Sequence, residues 1–429
     1  MLKMKYDVII IGAGITGLAS AYHIIKGDPS LKILIVEKRD TICQGNTARA
    51  EGLYRDLFSN EVHFKMNHST ISFYKYIQEE KGIDLGMKAI GYLFLIPESS
   101  PLINYFKEIS TRAELSILSK EELDKTGIFR TDISPELRES FGFPNIIAGV
   151  LGHNCGMIDQ EKVCNYYYEE LKRMGVEFSF GTNVRPFVLS PKKRIDYPGE
   201  PLLWQEKYLE SIETNKGKFS ADTYIVCTDV WATELLDIAG IDSHVRPRKR
   251  QVFQVSSPNI DKIIHIQGFN KLGLLPATIM PFSVYFKPDP GAGSLWVSCG
   301  DELMRGFSLE DDPLPEEGFY KSSIFPVLST YVPSLTESKI INSWAGYISL
   351  SGFDRMPIIF KKTNIIVATG THGAGITKGD ADGRAVAALY FGKKFATLYD
   401  GTKVAVKNLG EVDRQTASEK IGLSEYLIK

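Results

Sequence analysis

The first forty residues constrain the fold of this chain more than any other segment. An apolar run from Tyr6 to Ile11 leads into glycines at positions 12, 14 and 17, and a helical stretch then leads to a second apolar run from Lys32 to Val36. Gly12 allows a tight turn, Gly14 allows close approach of a pyrophosphate, and Gly17 allows the helix to pack against the strand. The order and spacing predict a β-α-β unit that binds a dinucleotide.

Glu37 closes the second strand and lies twenty residues after Gly17. A carboxylate at this place accepts hydrogen bonds from ribose hydroxyls and disfavours a 2′-phosphate. Two alternatives compete with dinucleotide binding: a tight turn without a ligand, and a secretory leader, because Lys3 and Lys5 precede the apolar run. The leader is the weaker alternative, since Asp7 and the glycines interrupt that run and a second strand completes the unit.

Length and composition indicate a globular protein with room for two domains. The chain has 429 residues, of which 43% are hydrophobic and 24% charged, enough to build substantial cores. A net charge of -2 gives no general attraction for nucleic acid, so the basic cluster Arg246–Arg250 is interpreted as a solvated loop or a local anion contact. No apolar run is long enough to span a bilayer. We therefore expect neither a nucleic-acid partner nor a transmembrane segment.

The cysteines predict neither a disulfide framework nor a metal site. Their number is odd, they are widely spread, and no two form a CxxC pair; they are Cys43, Cys155, Cys164, Cys227 and Cys299. Iron–sulfur and zinc sites need closer spacing. This cysteine usage and the absence of a leader predict a cytoplasmic protein, and a peripheral contact with a membrane stays open.

Strand-and-glycine-turn segments recur at both ends and in the middle of the chain, and segments richer in alternating strands lie between them. This interleaving predicts a fold of α/β plus α+β class with two discontinuous domains. We assign residues 1–85, 151–244 and 341–400 to a Rossmann-like cofactor domain. Residues 86–150 and 245–340 form a sheet-based substrate domain, and residues 401–429 form a C-terminal tail.

Several segments together resemble the FAD-dependent glycine/sarcosine/D-amino-acid oxidase family, and the resemblance covers nearly the whole chain. They are the opening fingerprint, Gly45–Arg49, Gly91–Phe94, Met157–Asp159, Trp344–Gly346 and Thr369–Thr371. Within the family the sequence is most similar to the dye-linked L-proline dehydrogenases. That similarity lies in Glu161–Val163, Tyr166–Tyr168, Gly199–Pro201, Trp204–Glu206, Arg246–Pro247 and Lys249–Arg250.

The resemblance implies FAD as the cofactor. The residues implied to hold it are Gly12, Gly14, Ile15, Thr16 and Gly17 at the pyrophosphate, Glu37 and Lys38 at the ribose, Thr47, Ala48 and Arg49 along the diphosphate and ribityl chain, Val184 at the adenine, Thr228, Gly346, and the late turn Gly370, Gly373, Gly375, Ile376 and Thr377 at the flavin. The helix after the late turn would direct its positive end toward flavin N1 and O2. Relatives that tether the flavin use a cysteine or histidine that this chain lacks at the matching places, so we expect non-covalent FAD.

Arg55 is the candidate that the resemblance implies for the substrate carboxylate, because a guanidinium fork binds a carboxylate bidentately. The alternative is a surface arginine paired with Asp56 or Glu51. A second carboxylate contact in sarcosine oxidases is a lysine of the late glycine segment. Thr377 occupies that place here and Lys378 follows it, so Lys378 is the candidate for the second contact.

Two further side chains are candidates for the active site. His372 lies within the late turn, where an imidazole tunes the flavin, handles protons, or is a hydrogen-bonded bystander. Tyr347 is a candidate wall of the substrate pocket, with a core aromatic as the alternative.

These features together predict a dehydrogenase. Trp296 stands where the family oxidases have a lysine that helps the flavin react with oxygen. We expect oxidation of a secondary amine or an imino acid resembling L-proline, by hydride transfer to flavin N5, with electrons passed to an unidentified quinone or protein carrier, or to a dye. The alternatives are an FAD-dependent 2-hydroxy-acid or glycerol-3-phosphate dehydrogenase, and a non-catalytic flavin subunit of an electron-transfer complex. Phosphate recognition would demand extra cations in the pocket.

Overall fold

The computed structural model describes residues 5–98, 100–300, 308–412 and 414. The strands are β1 (Lys5–Ile11), β2 (Ile33–Val36), β3 (Leu53–Tyr54), β4 (Tyr92–Pro97), β5 (Leu115–Ser119), β6 (Ile146–Gly152), β7 (Gly156–Met157), β8 (Glu177–Ser179), β9 (Val184–Pro191), β10 (Lys207–Thr214), β11 (Gly217–Val226), β12 (Val245–Ser256), β13 (Ala277–Ile279), β14 (Val284–Asp289), β15 (Ser294–Cys299), β16 (Lys339–Ser351), β17 (Ile358–Lys362), β18 (Ile365–Thr369), β19 (Phe395–Thr397) and β20 (Lys403–Ala405). The α-helices are α1 (Ile15–Gly27), α2 (Glu61–Glu79), α3 (Leu102–Ile109), α4 (Lys120–Lys125), α5 (Pro135–Phe141), α6 (Gln160–Arg173), α7 (Ala232–Leu236), α8 (Ile260–Ile264), α9 (Glu317–Phe319), α10 (Phe325–Tyr331) and α11 (Gly375–Tyr390).

The first sheet contains the predicted β-α-β unit. In the described residues it has eight strands, with the order β17-β18-β11-β1-β2-β8 and with β9 and β10 attached to β11 as a hairpin. Strands β18, β11, β1, β2 and β8 run parallel. Val8 and Ile10 pack on the helix-covered face, while Ile9 and Ile11 pack on the opposite face. The sheet is thus buried on both sides, as a parallel sheet with a continuously apolar sequence requires, and the Rossmann-like prediction is confirmed.

The second sheet has eight strands in the described residues, in the order β16-β12-β15-β14-β13-β4-β6-β5. It has its own core, in which residues such as Phe94, Phe253 and Phe286 pack with Leu328 and Tyr331 of α10. Its strands other than β16 lie mainly in the two separate chain segments that the sequence assigns to a substrate domain. The prediction of a second, sheet-based unit is therefore confirmed.

Two details of the sequence interpretation are wrong. The boundary at residue 341 falls inside β16, which pairs with β12 along its length in the second sheet. The chain returns to the first sheet only at β17, so we propose a boundary after Ser351. The cluster Arg246–Arg250 is not a solvated loop, because it lies within β12, where each of its residues pairs with β16. The other boundaries remain a prediction.

The predicted C-terminal tail begins as ordered chain, since β20 pairs with β19. Residue 413 and residues 415–429 lie outside the described residues. Among the described helices, none combines the length and apolar composition that a membrane crossing needs. The described residues also contain no group of three or more His, Cys, Asp or Glu side chains that could hold a metal ion.

Candidate active site

A cavity of about 450 Å³ lies between the two sheets, and both glycine turns contribute to its wall. Most of the predicted cofactor residues line it, namely Gly12, Gly14, Ile15, Thr16, Glu37, Lys38, Thr47, Arg49, Val184, Thr228, Gly346, Gly373, Gly375, Ile376 and Thr377. Gly17, Ala48 and Gly370 lie outside the wall. The fold thus brings together side chains that are more than three hundred residues apart in sequence.

The first glycine turn connects β1 to α1. Gly12 has φ = 105°, and a Cβ atom on it would lie 2.6 Å from the carbonyl oxygen of Cys227, so only glycine fits this left-handed position. A Cβ atom on Gly17 would lie 2.0 Å from the carbonyl oxygen of Gly12. Helix α1 begins without a side-chain cap, which leaves its N-terminal end as a site for an anion at the cavity wall.

Glu37 is fixed at the end of β2. One carboxylate oxygen accepts the amide of Ala13 at 2.8 Å, and the other accepts the amide of Arg39 at 2.9 Å. The carbonyl of Glu37 accepts the amide of Thr182 at 2.8 Å, which holds the segment leading to Val184 against the same end of the cavity. The predicted ribose and adenine residues therefore lie side by side.

Asn46 is a residue that sequence reasoning missed. Its side-chain amide donates to the Asp229 carboxylate at 2.7 Å, and its oxygen accepts the amide of Tyr347 at 2.9 Å. The carbonyl of Asp229 accepts the Thr369 hydroxyl at 3.0 Å. Asn46 and Asp229 thus join the loop after β2 to β16 and β18.

The late turn carries His372 into the cavity wall. His372 has φ = 52°, and its amide donates to the carbonyl of Ser349 at 3.0 Å. Burial lowers the pKa of His372 to about 3, and the charges of Lys378 and Arg355 act in the same direction. The imidazole is therefore neutral at pH 7. Helix α11 begins at Gly375 directly after the turn.

Arg55 lies in the cavity wall. Its guanidinium carbon is 4.5 Å from the centre of the Phe58 ring and 6.0 Å from that of Tyr92, and one nitrogen donates to the carbonyl of Leu57 at 3.2 Å. No carboxylate of the described residues lies within 4 Å of it: Asp56 contacts His68 and Asn154, and Glu51 contacts Tyr285. Among the described residues, the structure therefore does not show the alternative, an ion pair of Arg55 with Asp56 or Glu51.

Lys378 is not a wall residue. It follows Thr377 on α11, where successive side chains point about 100° apart, so Thr377 lines the cavity and Lys378 is fully buried behind it. The ammonium lies 3.4 Å from Nε2 of His63. His63 lines the cavity, so Lys378 is next to a wall residue. The role of Lys378 as a carboxylate contact stays a prediction.

Tyr347 lines the cavity. Its hydroxyl donates to the carbonyl of Ser308 at 2.9 Å and accepts the amide of Glu310 at 3.0 Å, and its ring packs edge-on against Trp231 at 6.0 Å. Trp231 in turn lies 4.8 Å from the Lys38 ammonium. Tyr347 therefore packs beside Trp231 and near Lys38, and its role as a wall of the substrate pocket stays a prediction.

The opposite end of the wall, which we call the substrate end, combines Arg55, His63, Arg250, Arg355 and His372. Burial and the neighbouring positive charges lower the pKa of His63 well below its usual value. Sequence reasoning missed three of these residues, because they come from α2, from β12 and from the turn after β16. The only signal was the basic cluster in β12, which contains Arg250.

Comparisons with known proteins agree with this geometry. The family model described as DAO, FAD dependent oxidoreductase, matches residues 7–389. FAD-dependent oxidoreductase domain-containing protein 1 of Xenopus laevis is 25% identical over 433 residues, covering 92% of this chain and 81% of that protein. L-2-hydroxyglutarate dehydrogenase of Indibacter alkaliphilus is 21% identical, covering 80% of this chain and 87% of that protein.

The fold is also shared with a solved structure, L-proline dehydrogenase from P. horikoshii. The TM-score is 0.72 at 21% sequence identity, with 95% of this chain and 97% of that chain covered. The paired sheets and the double glycine turn define a flavin-dependent oxidoreductase. The chain belongs to the DAO family of FAD-dependent oxidoreductases.

The residues of the cavity fit FAD. The hydroxyl oxygen of Thr228 is buried in the wall and has no hydrogen-bond partner among the described residues, which suits contact with a polar ligand. The N-termini of α1 and α11 both reach the wall, and helix N-termini favour anionic groups. The carboxylate of Glu37 stands at the far end, as recognition of a ribose requires.

Proposed function

We propose that this protein is a dehydrogenase that oxidises a secondary amine or an imino acid of the L-proline kind and passes the electrons to a carrier or dye. Arg55 carries the proposal, because its guanidinium lies in the cavity wall between two aromatic rings and without a carboxylate partner among the described residues. A buried guanidinium favours a bidentate carboxylate ligand. The name of the P. horikoshii structure supports this substrate class.

FAD, when bound, would supply the oxidant that takes a hydride from the carbon beside the neutral amine nitrogen. The iminium cation left behind becomes an imine when its N–H proton is released to water. Arg55 would hold the carboxylate and so fix the position of that carbon. His63 and His372 are neutral at pH 7 because burial lowers their pKa values. They therefore add no positive charge beside the amine, and a neutral amine needs no strong base to release the hydride.

We further propose that FAD is held without a covalent bond by the cofactor residues named from the sequence. Cys227 is the cysteine in the cavity wall, and burial raises its pKa to about 12. The thiol is therefore protonated at neutral pH, whereas a tethering nucleophile must be a thiolate. Flavin that stays with acid-precipitated protein would contradict this proposal.

The test of the proposed function is anaerobic reduction of the flavin by a panel of candidate substrates. Proline, sarcosine and other secondary amino acids should bleach the flavin absorbance, and the matching 2-hydroxy acids should do so more slowly or not at all. Stopped-flow absorbance gives the rate for each compound. A flavin that no amine reduces would contradict the proposed function, and reduction by a hydroxy acid alone would favour a 2-hydroxy-acid dehydrogenase.

The residues around Trp296 bear on whether the reduced flavin passes its electrons to oxygen or to a dye or carrier. The indole lies beneath the Lys287 ammonium, at 3.8 Å, and burial lowers the pKa of Lys287 to about 8. Neither side chain lines the cavity, and among the described residues Lys38 is the lysine that does, at the Glu37 end. The substrate end, as far as the described residues form it, therefore has no ammonium that could assist oxygen directly.

We expect the substrate-reduced enzyme to reoxidise at least roughly a hundred-fold more slowly with air than with an artificial dye, the scale of losing one preorganised charge in an active site. Both rates are measured by stopped flow on the same reduced sample. Free FADH₂ under the same conditions is the control for uncatalysed reaction with oxygen. Rapid production of peroxide would contradict the assignment as a dehydrogenase.

A 2-hydroxy-acid dehydrogenase is the second candidate. It is favoured by the similarity to L-2-hydroxyglutarate dehydrogenase over most of both chains. The panel of amines and hydroxy acids separates the two candidates, because each predicts a different class of reducing compound.

A further inference from the structure

The connection between β9 and β10, residues 192–206, presents large apolar side chains to solvent, and we call it the hairpin tip. Leu203 is 93% exposed, Trp204 73%, Tyr197 63% and Ile195 48%. Single exposed apolar side chains are common on protein surfaces, whereas several on one short segment mark a surface that binds something.

Hydrogen bonds within the hairpin tip fix its conformation. Gln205 is buried, and its side-chain nitrogen donates to the carbonyl of Lys193 at 3.3 Å and to the Glu200 carboxylate at 2.9 Å. The same Glu200 oxygen accepts the amide of Ile195 at 2.7 Å. The side-chain oxygen of Gln205 accepts the amide of Leu202 at 2.6 Å. The tip is therefore a built scaffold, and the exposure of its apolar side chains is a property of the fold.

The hairpin tip lies far from the cavity. Val184 lines the cavity at the start of β9, and the strand then runs eight residues away from it, roughly 26 Å at about 3.3 Å per residue. At the far end, Leu209 forms two hydrogen bonds, at 2.9 and 2.8 Å, with the side chain of Asn364, which precedes β18. The residues of the tip are all described, and none of them lines the cavity. An electron acceptor must approach the flavin, so the tip serves another kind of partner.

A second copy of this chain does not suit the tip. Its four apolar side chains expose on the order of 500 Å² together, since one aromatic side chain contributes about 150 to 250 Å² when it is buried. A stable interface between proteins buries about 800 Å² on each partner. In a two-fold contact the tip would also face its own copy, so Lys193 and Arg194 would meet like charges.

The charges of the tip suit an anionic surface instead. Lys193 and Arg194 are adjacent and both exposed. Glu206 forms an ion pair within the tip, and the carboxylate of Glu200 is occupied by its hydrogen bonds there. Asp196 is the remaining acid of the tip, so the charge that the tip presents outward is positive.

We propose that the hairpin tip binds the surface of a membrane that contains anionic lipid. Leu203 and Trp204 enter the boundary between headgroups and acyl chains, where exposed aliphatic and aromatic side chains of interfacial segments lie. Lys193 and Arg194 contact the anionic headgroups. A bilayer accepts a small apolar tip without the large complementary area that a protein partner requires. This inference is independent of the proposed substrate and reaction.

The first experiment is flotation of the holoenzyme with vesicles of phosphatidylcholine alone and with vesicles of phosphatidylcholine and phosphatidylglycerol in equal parts. The anionic vesicles should bind the protein about ten-fold or more tightly than the neutral ones, and added salt should weaken this binding. A protein that floats with neither kind of vesicle would overturn the inference. Equal binding to both kinds would overturn the role of anionic lipid.

The second experiment assigns the binding to residues of the tip. The double variant Leu203→Ser, Trp204→Ser should bind the anionic vesicles at least roughly ten-fold more weakly, because it removes the side chains that leave water. Lys193→Gln with Arg194→Gln should remove most of the preference for anionic vesicles. The matched control is Ile117→Ser with Phe141→Ser, which changes two exposed apolar side chains of the second domain. Equal weakening in this control, or full binding by the Leu203 and Trp204 variant, would overturn the assignment to the tip.

Light scattering after gel filtration separates a membrane from a second copy as the occupant of the tip. The natural protein and the Leu203→Ser, Trp204→Ser variant should have the same mass in solution. A dimer that the variant converts into monomers would overturn the inference. Anaerobic reduction of the flavin should proceed at the same rate in both, because the tip lies far from the cavity. Vesicle binding needs no turnover, so the inference and the proposed function can fail separately.

Discussion

Arg55→Ala should leave FAD bound and reduce kcat/KM for the best amine substrate by roughly thirty-fold or more. Losing one partner of a buried charge-assisted pair costs about 2 to 5 kcal/mol, and the loss appears in kcat/KM because the carboxylate is held in both the bound state and the transition state. Arg55→Lys should recover only part of the activity, since one ammonium cannot replace the two parallel bonds of the fork.

Flavin content after gel filtration separates loss of substrate binding from loss of cofactor. Arg138→Ala is the matched control, because Arg138 is an exposed arginine that pairs with Glu98 away from the cavity. It should leave kcat/KM unchanged. A near-normal kcat/KM in Arg55→Ala would mean that the aromatic rings around Arg55 hold a structural cation, and the carboxylate contact would then have to be sought at Arg355.

The cofactor end of the site was predictable from the sequence because its determinants are local. Gly12, Gly17 and Glu37 act within one β-α-β unit, and their spacing alone specifies a tight turn, a close helix contact and a carboxylate at a strand end. The structure places each of them accordingly. Short-range geometry of this kind is encoded in consecutive residues and requires no knowledge of the second sheet.

The substrate end was only partly predictable, for a physical reason. Arg250 lies in the cavity wall because β12 pairs with both β15 and β16. Arg355 lies there because the ion pair between Asp354 and Arg414 shapes the turn that contains it. Both conditions depend on contacts between distant segments, which single-sequence patterns do not report. The strand pairing also explains why the predicted boundary at residue 341 is misplaced. In the sequence, β16 shortly precedes the late glycine turn, and this proximity indicated that both belong to the same domain.

Thr377 and Lys378 are neighbours on α11, but their side chains point in different directions and have different surroundings. The resemblance located the right turn of α11, but a step of one residue rotates the side chain by about 100°. Thr377 reaches the wall, where its hydroxyl donates to Asn67 at 2.6 Å. Lys378 points into the protein interior instead, where it is fully buried and lies 3.4 Å from Nε2 of His63.

Lys378→Met should increase the free energy of unfolding at pH 7 by about 1 to 3 kcal/mol, because a fully buried ammonium without a contact counter-ion is costly. The contact of Lys378 is the neutral His63 at 3.4 Å, and both oxygens of the nearby Asp382 lack hydrogen-bond partners among the described residues. Burial lowers the pKa of Lys378 from 10.5 to about 8. Methionine has a similar volume and no charge to desolvate.

The pH dependence of the unfolding free energy follows from the lowered pKa of Lys378. Between pH 8 and 10.5 the unfolded chain binds a proton at Lys378 that the folded chain does not, so the stability of the natural protein rises with pH in this window. The free-energy cost of burying the Lys378 ammonium is fully present below pH 8 and absent above about pH 10.5. The gain in unfolding free energy from Lys378→Met should therefore decrease between these two pH values. Urea unfolding of the holoenzyme at pH 7 and at pH 10 measures this, with the exposed Lys321→Met as control. A variant that loses stability at pH 7 would show instead that attraction to Asp382 outweighs burial, and a variant that loses substrate binding would restore Lys378 to the active site.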